Sequence, residues 1–154
     1  MSDRPKLKIE LTTFDKIMEI LGWIFIIAIW SMTIISYNQL PDVIPTHFNL
    51  KGEVDGYGEK WMILLLGSIT TILFLVMSYL NKFPHRFNYL TVITKDNALK
   101  QYTIATRAIR FLKILMVAIF LLTTYQTIKQ SNKNTDDLGL EDKSYENSET
   151  SINS

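Results

Sequence analysis

Trp61-Met62-Ile63-Leu64-Leu65-Leu66-Gly67-Ser68-Ile69-Thr70-Thr71-Ile72-Leu73-Phe74-Leu75-Val76-Met77-Ser78-Tyr79-Leu80-Asn81 contains no charged residue. About twenty helical residues of this kind cross a hydrocarbon core of about 30 Å. A helix on the surface of a soluble bundle keeps a charged face toward water, and this run has none. Working outward, Ile20 to Leu40 is a second uncharged apolar run, and Phe111 to Ile128 is a third, interrupted only by Lys113. The fold class expected is all-α: an integral membrane protein of three transmembrane helices, with an irregular Pro/Gly-rich outer loop and an amphipathic cytoplasmic helix.

The chain has 154 residues, enough for one small domain, and its 47% hydrophobic content is gathered into those runs. Segment 1–15 is expected to be a cytoplasmic N-terminal segment and 16–128 a membrane domain. Its helices are placed at about 16–38, 60–81 and 95–128, the last crossing the membrane over about 111–128. Residues 129–154 are rich in Ser, Asn, Thr, Asp and Glu and read as a disordered polar tail. The first apolar run exceeds the roughly 7–15 residues of a signal core and follows Asp3, Glu10, Asp15 and Glu19, so a retained anchor is expected. Zero cysteines exclude disulfides, thiolate metal sites and cysteine nucleophiles.

Between the first two runs lies Leu40-Pro41-Asp42-Val43-Ile44-Pro45-Thr46-His47-Phe48-Asn49-Leu50-Lys51-Gly52-Glu53-Val54-Asp55-Gly56-Tyr57-Gly58. Pro41 and Pro45 each remove a backbone donor, and Gly52 and Gly56 allow turns or close backbone approach. A connection this long and this specialised is expected to be functional. Its candidate binding residues are Pro41, Pro45, His47, Asn49, Gly52, Asp55, Gly56 and Lys60. His47, Glu53 and Asp55 are weak candidates for a divalent metal, because the loop holds a single histidine. Lys51 in the first ligand position rejects a calcium loop. No base is visibly placed beside a nucleophile, so no catalytic residue, no enzyme activity and no cofactor are expected.

The segment from Lys82 to Lys113 is basic. Thr94 is a candidate N-cap, after which Leu99, Tyr102, Ala105, Ile109 and Leu112 recur at helical spacing. Lys100, Arg107 and Arg110 fall near another face, expected to meet anionic lipid or a partner. Lys113 is expected to snorkel to the headgroups. Eleven basic residues fall in the N-terminal segment and second loop, against five in the first loop and tail. The positive-inside rule then places the N-terminus in the cytoplasm and the C-terminus outside, in a bacterial inner membrane. The expected partners are the bilayer and another membrane protein or a peptide toxin, with no nucleic acid.

Leu40-Pro41-x-x-Ile44-Pro45-x-His47-Phe48-Asn49-x-x-Gly52-x-x-Asp55-Gly56-Tyr57-Gly58-x-Lys60 resembles a bacterial family, domain of unknown function 1648, found as the N-terminal half of SdpI-type immunity proteins. Phe87-Asn88-Tyr89 through Ile93-Thr94-x-x-Asn97, then Tyr102, supports the resemblance, which extends over roughly residues 20–128. It implies an integral membrane protein with few helices. In the SdpI-type members it also implies protection against a secreted toxin and sequestration of a repressor at the membrane. Those members continue into a second helical half, where this chain has its polar tail. The function expected is binding, sensing or an accessory role through the outer loop. The alternatives are immunity to a secreted peptide toxin and a structural subunit of an envelope complex.

Overall fold

A computed structural model describes residues 4–152, with side chains described as far as Lys133. Helix α1 spans Thr13–Tyr37, strands β1 and β2 span Val43–Phe48 and Val54–Glu59, helix α2 spans Met62–Leu80, and α3 spans Ala98–Ile152. A 3-10 turn at Pro84–Arg86 follows α2. The fold is therefore mostly helical, but the loop expected to be irregular is an antiparallel hairpin.

Each boundary has a local cause. Thr12 caps α1: its hydroxyl accepts the Asp15 N–H, while its own N–H donates to the Asp15 carboxylate at 2.9 Å. This reciprocal cap starts the helix before the expected residue 16. Pro41, following the turn at Asn38 to Leu40, prevents its continuation. Thr94 does act at the start of α3, its hydroxyl accepting the Asn97 N–H and its carbonyl accepting from Ala98. The helix then runs through the expected third span without a break at Ile128; Ser131 is buried and donates to the Thr127 carbonyl at 2.7 Å. From residue 134 onward, the tail expected over 129–154 lies outside the residues whose side chains are described.

The three helices pack in register along their length. Asp15 meets Arg107 at one end, Ile26 and Ile29 meet Val117 in the middle, and Leu40 meets Ile128 at the other. Rising residue numbers match on α1 and α3, so these two run parallel and α2 returns between them. Gly67 lets the Trp30 ring approach, and the Trp30 indole donates to the Thr71 hydroxyl at 3.0 Å. Gly67 and Thr71 on α2 thus serve packing against α1.

The distribution of polarity is inverted. The buried face of α3 includes Thr106, Arg110, Lys113, Thr124 and Thr127, whereas Phe111, Leu112, Leu115, Ile119 and Leu122 are exposed. Ile20, Ile24, Ile27 and Ile35 on α1, and Ile72, Leu75 and Val76 on α2, are also exposed. Among the described residues two stretches, Thr13–Gln39 and Met62–Leu80, are long and apolar enough to cross a membrane. Only 22% of each apolar window is buried, unlike the core helix of a soluble protein. These two helices are suited to membrane insertion.

Candidate functional site

The hairpin is built on a double irregularity. Pro45 pairs with Tyr57, His47 with Gly56, and Phe48 with Val54. Thr46 is therefore an extra residue on β1 and Asp55 an extra residue on β2, two bulges that offset one another. Ile44 and Pro45, in the regularly paired stretch before the bulge, are both buried, and His47 beyond it is exposed. Gly56 lies directly across from His47: a Cβ there would come within 3.0 Å of the His47 Cβ.

Asn49 organises the tip. Its side-chain oxygen accepts the N–H groups of Lys51 and Glu53, and its amide donates to the Glu53 carboxylate at 2.8 Å. Gly52 completes the turn at φ 80°, a left-handed conformation that glycine adopts without a Cβ penalty. Leu50 projects from this turn with its whole side chain exposed.

The base is anchored to the helices. Ile44 packs with Leu40, Ile63 and Ile128, and the Thr127 hydroxyl donates to the Pro45 carbonyl at 3.1 Å. Lys60 ties the strand ends: its N–H donates to the Asp42 carbonyl and its ammonium lies 3.1 Å from the Asp42 carboxylate. That ammonium also sits 6.0 Å from the Tyr37 ring centroid. Pro41 is half-buried where α1 gives way to the hairpin.

The structure thus brings His47, Gly56 and Asp55 together, with the His47 ring bonded to the Asp55 carboxylate. Asn49 and Gly52 form the tip, while Pro45 and Lys60 belong to the base. Glu53 does not join His47 and Asp55; its carboxylate is turned to Asn49. Among the described residues no three His, Cys, Asp or Glu side chains converge as a metal site. The weak metal candidates therefore reduce to one exposed pair.

The expected cytoplasmic face is corrected more deeply. Lys100 is exposed and Arg107 partly so, but Arg110 is buried at 5% exposure. Arg110 donates through Nε to Glu19 at 3.1 Å and through Nη1 to Asp15 at 3.3 Å. Arg107 adds a second contact to Asp15. Lys113 does not snorkel: it is fully buried, 2.6 Å from Glu19 and 2.8 Å from the Ser78 hydroxyl, with its ammonium 4.4 Å from the Phe74 ring centroid. Two acids on α1 and three bases on α3 therefore lock the helices together where the basic stripe was expected to face lipid. The missed signal was a pair of spacings: Asp15 and Glu19 four apart, and Arg107, Arg110 and Lys113 three apart, each repeating on one helix face.

The N-terminal arm closes over this end. The Arg4 guanidinium donates to the carbonyls of Phe87 and His85 and lies over the Tyr89 ring. Ile9 packs against Ile93 and Tyr102. Burial, with Tyr102 nearby, pushes the Tyr89 phenol up despite Arg4, and the phenol donates to the Pro84 carbonyl.

Residues 24–72, the second half of α1, the hairpin and the first half of α2, match the model of a Domain of unknown function (DUF1648). This stretch is a DUF1648 domain. The resemblance expected from the hairpin residues is thereby established over the part of the chain that carries them. An uncharacterized protein of Archaeoglobus fulgidus is 36% identical over 62 residues, which make up 40% of this chain and 34% of the relative. The chain accordingly matches about a third of that relative's length. No solved structure matches.

Proposed function

We propose that the protein is a three-span membrane protein whose DUF1648 hairpin recognises a protein or peptide outside the membrane. The third span rests on α3 running parallel to α1, with polar residues inward and Phe111, Leu115, Ile119 and Leu122 outward. That is the arrangement a bilayer selects. The excess of basic residues on the N-terminal side supports a hairpin outside and an N-terminus in the cytoplasm.

The observation that carries the recognition role is the contrast within the hairpin. Its base is fixed by Ile44, Pro45 and Lys60, while Leu50, Tyr57 and the His47–Asp55 pair are exposed on a defined backbone. A pre-shaped exposed element loses little conformational freedom on binding. The family resemblance favours a secreted peptide toxin as the partner, with immunity as the outcome; a neighbouring envelope subunit is the second reading.

Because the chain has no cysteine, Leu50→Cys gives one labelling site. A membrane-impermeant maleimide should modify it in intact cells; labelling only after permeabilisation would reverse the orientation. A photo-crosslinker at Leu50 should give one discrete product in native membranes, and its absence would refute recognition through the tip. Selective sensitivity of a deletion strain to a peptide antimicrobial, restored by wild type but not by His47→Ala, would decide for immunity. A stoichiometric membrane protein in the product would decide for the subunit.

A further inference from the structure

At the end of the bundle away from the hairpin, a cavity of about 510 Å³ lies beneath the N-terminal arm, between α1 and α2. Leu7 and Leu11 of the arm line it together with Lys8, Asn81, Lys82 and Arg110. It stands directly beyond Leu80, the last residue of α2, which is the level at which an apolar span meets the headgroups of a bilayer.

The polar groups here are unevenly satisfied. Glu19 also lines the cavity, but its two oxygens are already taken by Arg110 Nε and Lys113 Nζ. Arg110 uses Nε on Glu19 and Nη1 on Asp15, which leaves Nη2 with no protein partner among the described residues. Asn81 is more telling. Its side-chain oxygen and nitrogen are both buried and neither has a hydrogen-bond partner. A buried amide in a native chain is completed by water, an ion or a bound group. The amide needs an acceptor for its N–H and a donor for its oxygen. Two of the lining cations, Lys8 and Lys82, have no acidic partner among the described residues and call for negative charge. The leucines call for an attached apolar portion.

We propose that this cavity holds the headgroup of an anionic phospholipid carrying a free hydroxyl, of the phosphatidylglycerol type. The phosphate oxygens accept from Arg110, Lys82 and the Asn81 N–H, and the headgroup hydroxyl donates to the Asn81 oxygen. The acyl chains leave along the exposed Ile20 and Leu80. The site rests on the membrane placement of α2 and not on any partner of the hairpin.

The test uses the purified full chain in a nonionic detergent. Thermal unfolding is followed after adding phosphatidylglycerol, phosphatidylcholine or inorganic phosphate at equal concentration, with bound lipid counted by native mass spectrometry. Phosphatidylglycerol should raise the midpoint and remain bound, and the other two should not. Asn81→Leu and Lys82→Gln should each weaken the apparent affinity for phosphatidylglycerol by about tenfold, the effect of one lost charge-assisted contact. Lys82 is exposed, so its variant keeps the test open should Asn81→Leu fold poorly. Equal stabilisation by phosphatidylcholine, or unchanged affinity in Lys82→Gln, would overturn the site. Reproduction of the effect by inorganic phosphate would overturn the lipid as its source. Flotation of both variants with vesicles separates these failures from a failure of the membrane placement.

Discussion

At the hairpin end, His47 meets Asp55 and Lys60 meets Asp42 with one or both partners open to solvent; at the arm end, Lys113 and Arg110 meet Glu19 and Asp15 with the bases buried. Both ends pair a basic side chain with a carboxylate, and burial separates their roles. An exposed pair gains little because water screens it. A buried pair is a poor source of net stability, yet removing one member strands a charge at high cost. The arm end is therefore a structural lock between α1 and α3, and the hairpin end displays its charges.

The largest expected effect follows from breaking the lock. Lys113→Met should lower stability in detergent by about 1.5–3 kcal/mol, because Glu19 then loses its shortest, charge-assisted contact while Arg110 still holds its other oxygen. Adding Glu19→Gln should recover part of the loss, with a coupling of about 0.5–3 kcal/mol in a double-mutant cycle. Denaturant midpoints of the four proteins measure this. A single-variant loss below about 1 kcal/mol would place Lys113 among exposed pairs and erase the contrast between the two ends.

These same contacts show what could be read from the chain. Residue types and spacing gave the two apolar spans and the cap at Thr94, because each depends on neighbours within a turn or two. The hairpin was missed for a definite reason. The alternation that marks a strand is blurred because Ile44 and Pro45 are buried in succession at the anchored base and Thr46 then bulges, so the pattern reads as loop. His47 and Asp55 stand out as candidates in the sequence, but their pairing depends on the second bulge. The basic stripe failed differently. A charge near an apolar helix has two outlets, lipid headgroups or a partner acid, and the local sequence does not distinguish them. Only the parallel alignment of α1 with α3 brings Glu19 to Lys113.

An intermediate effect is expected where the hairpin meets the bundle. Thr127→Val keeps the shape of the side chain but removes the donor to the buried Pro45 carbonyl. The loss should be about 1 kcal/mol. It should also be local: amide hydrogen exchange over β1 and β2 should quicken while the first turns of α1 stay protected. Equal quickening at both ends would mean that hairpin and lock open as one unit.

The smallest stability effect belongs to His47→Ala. Its bond to Asp55 lies in solvent, with 73% of the His47 side chain and 43% of the Asp55 side chain exposed, so the loss should stay below about 1 kcal/mol. The backbone should hold, because Asn49, Gly52, Lys60 and Thr127 fix the hairpin without the imidazole. A near-unchanged unfolding midpoint with loss of the Leu50 crosslink would separate recognition from folding at this position. A drop as large as that of Lys113→Met would instead make His47 part of the scaffold. The exposed pair would then have to stabilise the hairpin to a degree that its access to water does not allow.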